Sequence, residues 1–305
     1  MEELKYSVAA DEAGVRLDKY IALKLGDDYS RMYVKTLMQK GSILVNGQKV
    51  KHHYSVFYGD DVSVSVDEEF LAEVNVSPEN IPIDIIYEDE CLIIVDKASG
   101  MVVHPGAGNK TGTLVNAVLY HCGKLPETDD KVRPGVVHRL DKETSGIIVV
   151  AKNARALRSL GKQFQNRTVK KQYLALVRGV VEMDNGIVDV PLGRHSFDRK
   201  KMAVKIETGR SAKTIYHVKK RFKNFTFVEL ELETGRTHQI RVHMKYLGHP
   251  VLGDTVYGTK HEINRVALHA HRIRFTHPVE GKTVEFCSPM PKDMEEVIEN
   301  AEKIM

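Results

Sequence analysis

The 305-residue chain has no tryptophan, only three cysteines, and no apolar run near the roughly 20 residues of a membrane-spanning helix. Cys91, Cys122 and Cys287 are odd in number and lack zinc-like spacing, so neither a disulfide framework nor a zinc finger is expected. The opening MEELKYSVAADEAG has no basic segment followed by an apolar one, which argues against a secretory signal, and the cysteine usage is expected of a reducing cytoplasm. No Walker-type phosphate loop, dinucleotide fingerprint or G-x-S-x-G elbow occurs. GAGNKTG at 106–112 follows VVHP rather than a strand and is a poor nucleotide loop. Fourteen histidines include no H-E-x-x-H, and His238 and His243, five apart, do not share a helix face. No metal site and no cofactor are expected.

What is present is uneven charge. The net charge is only +4, yet residues 29–55 carry five Lys and Arg with no acid. Residues 152–178 carry eight with no acid, and 194–223 carry eleven against two acids. One such run is usually a solvated face. Three in one chain point to a polyanionic partner, nucleic acid first.

Residues 15–25 and 29–40 have the spacing of two short amphipathic helices, the second capped by Ser30 and ended by Gly41. ILVNGQKV predicts a hairpin, because Asn46-Gly47 suits a two-residue turn with positive φ. YGDDVSVSV adds a strand, and AEVNVSPENIP looks like a linker. Across residues 14–66, the helices, Ser30-Arg31, Gly41, Val45-Asn46-Gly47 and Gly59-Asp60 resemble an S4-like RNA-binding domain. That resemblance implies an ααβ domain over 14–76, ahead of a catalytic domain over 77–305. It also implies that Arg31, Lys35, Lys49 and Lys51 touch RNA phosphates.

After the linker, strands dominate without regular βαβ units. DIIYEDECLIIVDKA, GVVHR, GIIVVAK, KKQYLALVRG, KTIYHVKKRF and FTFVELELE read as strands; GTLVNAVLYH, NARALRSLGKQFQ and HQIRVHMKYLG read as helices. The expectation is an α+β domain around a bent, mostly antiparallel mixed sheet. Asp141, in HRLDKETSG between two β-branched runs, is then hard to explain as a fastener. An ionised carboxylate at a strand end costs several kcal/mol to desolvate without a close partner. Such a group is more readily kept as nucleophile or base. Arg236 in LETGRTHQIR is a candidate partner, and Tyr173 offers a flat face and a phenol.

Arg139-Leu140-Asp141-Lys142-Glu143-Thr144-Ser145-Gly146 fits R-L-D-x-x-T-S-G, the signature of the RluA/RluD family of RNA pseudouridine synthases. DKASGMVVHPG, KQYLALVRG and LETGRTHQIRVH resemble three further family segments in the same order, over about residues 80–290. The resemblance implies the pseudouridine synthase fold and no cofactor. It makes Asp141 the catalytic carboxylate, as nucleophile or as base at the sugar. Tyr173 stacks on the uracil, Leu232 packs under it, and Arg236 pairs with Asp141. Arg139, Lys142, His104 and Arg241 are placed with substrate by the same resemblance, while Thr144 and Ser145 fix the loop. Ala98 departs from the family's usual Pro and is expected to loosen a turn beside the cleft. An S4-like domain ahead of such a catalytic domain implies a monomer acting on large-subunit (23S) ribosomal RNA, free or in a pre-50S particle. The loop of helix 69 is the expected site; another rRNA site, tRNA, or a catalytically dead assembly factor are the alternatives.

Overall fold

The computed structural model describes residues 2–25, 31–51, 53–66, 76–106, 109–128, 133–198, 201–258 and 263–304. They form two compact units, Met1–Ser77 with Glu127–Pro134, and Pro78–Pro126 with Gly135–Met305.

In the first unit, β1 (Glu2–Ser7), β2 (Ile43–Val45) and β3 (Asp61–Val66) make an antiparallel sheet in the order β1-β3-β2. The alternation of DVSVSV puts Val62, Val64 and Val66 inward. Helix α1 (Leu17–Leu25) adds Leu17, Tyr20, Ile21 and Leu25, a stripe at helical spacing, and α2 (Arg31–Lys40) adds Val34 and Leu37. Asn46 and Gly47 both have positive φ, 51° and 75°, as a tight hairpin turn requires. Beyond that turn the expected second strand shrinks to one bridge, Val45 to Gln48, and β2 pairs with β3 instead. β1, which the sequence reading omits, covers the other side of β3. Ser30 and linker residues 72–75 lie outside the described residues, as do the side chains of Arg31 and Lys35.

The second unit is built on a mixed sheet of nine strands among the described residues. They are β4 (Asp84–Glu88), β5 (Leu92–Lys97), β6 (Ser145–Ala151), β7 (Lys170–Arg178), β8 (Asn185–Asp189), β11 (Lys213–Arg221), β12 (Phe225–Leu232), β13 (Leu268–Thr276) and β14 (Thr283–Cys287). The order is β4-β5-β6-β13-β7-β12-β11-β8, with β14 also on β13. β9 (Leu192–Arg194) and β10 (Met202–Val204) form a separate ribbon. Only β6–β13 is parallel among these pairs. Register shifts in β4, β11 and β13 break the ladder, as bulges do where a sheet bends. Helices α3 (Leu114–Cys122), α4 (Ala154–Gln165), α5 (Gln239–Tyr246) and α6 (Lys292–Ile304) complete the unit. Thr113 caps α3 and Asn153 caps α4 through side-chain oxygens on backbone N–H groups.

β6 is buried along its whole length, and Ile147, Ile148, Val149 and Val150 alone are worth about 1.5–3 kcal/mol each. That anchoring fixes the turn just before it, which carries Asp141. The expected strand over 135–139 does not form. It makes one bridge, Val136 to Val150, because Gly135 has φ 71° and the His138 ring, not a carbonyl, accepts the Val149 N–H (2.9 Å).

Candidate active site

Four neighbouring strands and one turn bring the chemistry together. The turn 141–144 closes through the Thr144 N–H donating to the Asp141 carbonyl, and leads into β6. β13 pairs with β6 at Ser145 and Gly146, and with β7 so that Ala270 faces Tyr173. β7 in turn sets Tyr173 opposite Leu230 of β12, whose end presents Leu232. The chain then turns through Thr234–His238 into α5. Gln239, buried, organises that turn: its Oε1 accepts the Thr234 hydroxyl and the Arg236 N–H, and its Nε2 donates to the Lys213 carbonyl.

The result is a pocket of about 90 Å³ with Asp141, Tyr173, Leu232, Arg236, His238 and Arg241 in its wall. That is less than the roughly 150 Å³ that encloses a benzene ring, so a pyrimidine seated here either projects from the open mouth or displaces a lining side chain. Arg236 is one lining side chain with room to move. It is half-exposed, and among the described residues its guanidinium makes one hydrogen bond, to the Ser211 carbonyl (3.1 Å).

The cation that reaches Asp141 is therefore not Arg236 but Arg241, a correction to the sequence reading. Arg241 Nη1 donates to Asp141 Oδ2 (3.3 Å), while its Nε and Nη2 grip Asp254 (2.7 and 2.9 Å) in a fork. Arg241 and Asp254 are buried. Burial alone would push the Asp254 carboxyl up; the Arg241 fork and the N–H groups of Tyr257 and Val256 outweigh it and hold it low. Asp254 thus fixes the guanidinium that aims Asp141. Its signal in the sequence was an Asp inside the apolar turn VLGDTVYG.

His238 was also missed as a site residue. Its Nε2 lies 3.9 Å from Asp141 Oδ2, and its φ of 56° is left-handed, a conformation seldom adopted by residues with a side chain. Burial pushes its imidazole down, against the pull of Asp141. The Tyr257 hydroxyl accepts the Met202 N–H and lies 2.8 Å from His238 Nδ1. When it donates its proton there, the ring proton sits on Nε2, facing Asp141. Asp141 Oδ1 takes no hydrogen bond among the described residues.

Tyr173 is buried, and that burial, with Asp141 nearby, pushes its phenol well above its ordinary value. It stays protonated and can stack or donate. Behind the Asp141 turn, the buried Lys97 donates to the carbonyls of Ala98, Met101 and Lys142 (2.8, 2.9 and 3.2 Å). Gly100 N–H and Ser99 Oγ add bonds to the Lys142 and Glu143 carbonyls. The turn that Ala98 was expected to loosen is clasped to the Asp141 turn instead.

The remaining predicted residues scatter. Arg139 lines the pocket and is exposed; Lys142 is exposed and not among the lining residues. His104 is buried against the Pro105 carbonyl, outside the pocket, because residues 102–103 are tied to the start of α3. Thr144 is in the wall and its N–H closes the Asp141 turn, while the Ser145 hydroxyl bonds His269. Lys49 and Lys51 are exposed on the first unit. Among the described residues no cluster of His, Cys, Asp or Glu is placed to hold a metal ion, and no helix is long and apolar enough to cross a membrane.

Residues 91–246 match the family described as RNA pseudouridylate synthase. An uncharacterized RNA pseudouridine synthase of Bacillus subtilis is 45% identical over 99% of each chain. The ribosomal large subunit pseudouridine synthase D of Neisseria meningitidis serogroup B is 44% identical over 94% of this chain and 79% of its own. Among solved structures, human RNA pseudouridylate synthase domain containing 1 superposes with a TM-score of 0.59 at 26% identity, over 73% of this chain and 96% of that one.

Proposed function

The chain belongs to the RluA/RluD family of RNA pseudouridine synthases, and from that premise we propose that it isomerises uridine in large-subunit ribosomal RNA, with Asp141 as the catalytic carboxylate. One observation carries the assignment: a carboxylate at the pocket wall, held on one oxygen by a buried Arg241–Asp254 fork and bare on the other, with a protonated Tyr173 and Leu232 beside it. The N1–C1′ bond breaks, the uracil turns, C5 bonds to C1′, and the proton from C5 is returned through the site to N1. Whether Asp141 attacks the sugar or removes its C2′ proton, one carboxylate oxygen acts, and Oδ1 is the free one. Tyr173 stacks on the base and relays a proton as a neutral phenol; Leu232 packs against the ring. Arg236 swings to admit the base, and Arg139 and Lys142 meet the backbone as the nucleotide leaves its stack. No step calls for a cofactor.

The first unit is proposed to be an S4-like domain whose Lys49 and Lys51, with Arg31 and Lys35, meet RNA phosphates. Large-subunit rRNA is the proposed target because relatives 39–44% identical carry the name large subunit synthase D; the loop of helix 69 in 23S rRNA, free or in a pre-50S particle, and a cytoplasmic monomer are the finer reading, drawn from an S4-like domain ahead of such a catalytic domain. The test is Asp141→Asn, which keeps shape but supplies neither nucleophile nor base. Tritium release from 5-tritiated rRNA fragments should vanish while RNA affinity stays within about threefold. Activity within about tenfold of wild type, a mere 1.4 kcal/mol in barrier, overturns the assignment.

A further inference from the structure

A second cavity, of about 410 Å³, opens on the far side of the pocket's movable wall. It shares Arg139, Tyr173, Leu232 and Arg236 with the Asp141 pocket, and adds the end of α4 and the start of β7. Its charge is one-sided. Arg139, Arg167, Lys171 and Arg236 line it against a single acid, Glu233. That acid is already engaged, pairing with Lys213 at 2.8 Å.

The cations are not. Among the described residues neither Arg139, Arg167 nor Lys171 has a carboxylate partner for its side chain. Lys171 is half-buried, and its ammonium stands 3.8 Å from where a Cβ would project from Gly235, next to Arg236. Burial, with Arg167 nearby, pushes it down to about 8. A cation in that setting gains from an anion brought to it. Arg167 has a φ of 60°, so the turn leaving α4 holds a side-chain-bearing residue in a conformation usually left to glycine or Asn. That turn is a left-handed helix cap, with the Arg167 and Thr168 N–H groups on the Phe164 and Gln163 carbonyls (3.3 and 3.0 Å), and it fixes where Arg167 leaves α4. The back wall is flat: His138 stacks on Phe164 with ring centroids 4.7 Å apart, and Lys171 lies 6.0 Å from the Phe164 centroid. Burial pushes the imidazole down to about 3, in keeping with Nε2 accepting the Val149 N–H. It adds no charge of its own.

We propose that this cavity is a subsite for the nucleotide next to the target uridine, with Lys171 and Arg167 holding the phosphodiester that joins the two. The inference rests on the reading of the Asp141 pocket as the seat of the flipped uridine. Its geometry is that of a cleft split by Arg236: when the base displaces that side chain, the two spaces join. The adjoining phosphate then lies among cations that nothing else neutralises.

The experiment neutralises the phosphates one at a time. A helix 69 stem-loop carries a methylphosphonate on either side of the target uridine, and binding is measured with full-length wild type, Arg167→Asn, Lys171→Gln and Lys171→Arg. Asn suits the left-handed backbone at 167. In wild type, one of the two neutral linkages should weaken binding about tenfold, and Lys171→Gln should bind charged and neutral RNA alike. Each lost contact should also lower the magnitude of the slope of log affinity against log salt by about 0.7. Lys171→Arg should restore the discrimination, which separates a charge contact from a folding defect. A wild type indifferent to both linkages, or a Lys171→Gln protein that keeps the tenfold preference, overturns the subsite. Pseudouridine formation in the unmodified stem-loop is scored alongside. Its absence counts against the synthase reading, whereas the binding comparison needs no turnover and judges the subsite alone.

Discussion

Asp254 lies behind Arg241 and does not line the Asp141 pocket, yet Asp254→Asn should damage both stability and rate. Its Oδ1 accepts the N–H groups of Val256 and Tyr257 (3.0 and 3.1 Å) as well as Arg241 Nη2, while Oδ2 accepts Arg241 Nε. An Asn would keep its carbonyl on the two backbone donors and turn its amide N–H groups toward the guanidinium. Donor then meets donor, and a buried cation loses its closest counter-charge. Breaking a buried pair by changing one partner costs about 3–5 kcal/mol. Denaturation followed by circular dichroism should therefore show a lower midpoint at unchanged slope. The guanidinium, freed from its fork, will also shift relative to Asp141, and a misplacement of about 1 Å can cost roughly a hundredfold in rate. Single-turnover tritium release at saturating enzyme reads that loss without interference from RNA affinity. A variant within about 1 kcal/mol of wild type in stability and within threefold in rate would show that the fork positions nothing.

Three further perturbations test other parts of the architecture. Lys97, pushed down to about 7 by burial against the pull of Asp141, binds fewer protons folded than unfolded between about pH 7 and its ordinary value. Stability of wild type relative to Lys97→Met should thus rise with pH above about 7, by at most about 1.4 kcal/mol per unit, and be flat below it; a difference independent of pH would show that burial does not lower Lys97. Gly146 has φ 110°, and a Cβ there would strike the Ala270 backbone, 2.6 Å from its nitrogen, so Gly146→Ala should cost at least about 3 kcal/mol by thermal unfolding. A soluble protein with wild-type stability would mean the β6–β13 contact is not tight. Lys49→Gln with Lys51→Gln should weaken RNA binding and flatten its salt slope by about 0.7–0.9 per contact, leaving the single-turnover rate at saturation unchanged; an unaltered slope removes them from the interface.

Much of the site was legible because its residues sit in strongly patterned stretches. Asp141 stands out between two β-branched runs, and Tyr173 lies in the alternating strand KKQYLALVR. The partner of Asp141 was misread for a physical reason. Arg236 and Arg241 are five residues apart, and the choice between them depends on His238, whose left-handed backbone reverses the chain into α5. Nothing in residue order signals a positive φ at a histidine. β13, the strand joining the two halves of the sheet, escaped notice because a bulge between Ala270 and Arg272 spoils the alternation of LHAHRIRFT. The basic blocks were also partly deceptive. In 194–223, Lys213, Lys219, Lys220 and Arg221 meet Glu233, Glu229, Glu302 and Asp184, acids that the sheet and α6 bring from outside the block.

That neutralisation sharpens what the remaining charges do. Around Asp141 the inner shell is tied together by charge: one guanidinium is shared by two carboxylates, beside an imidazole that burial disfavours charging. Its geometry is set before substrate arrives, so little reorganisation is needed at the moment of reaction. Arg139, Arg167, Lys171 and Arg236 stand one layer out, with no internal acid to satisfy them beyond a Glu233 already paired. A polyanion gains most from that outer layer, and the gain is screened as salt rises. The inner fork is dry and far less sensitive to salt. Raising ionic strength should therefore erode RNA affinity steeply while the single-turnover rate at saturating enzyme barely moves. A rate that fell in step with affinity would mean that the outer cations also stabilise the reacting nucleotide's transition state, and that the two layers are not separate.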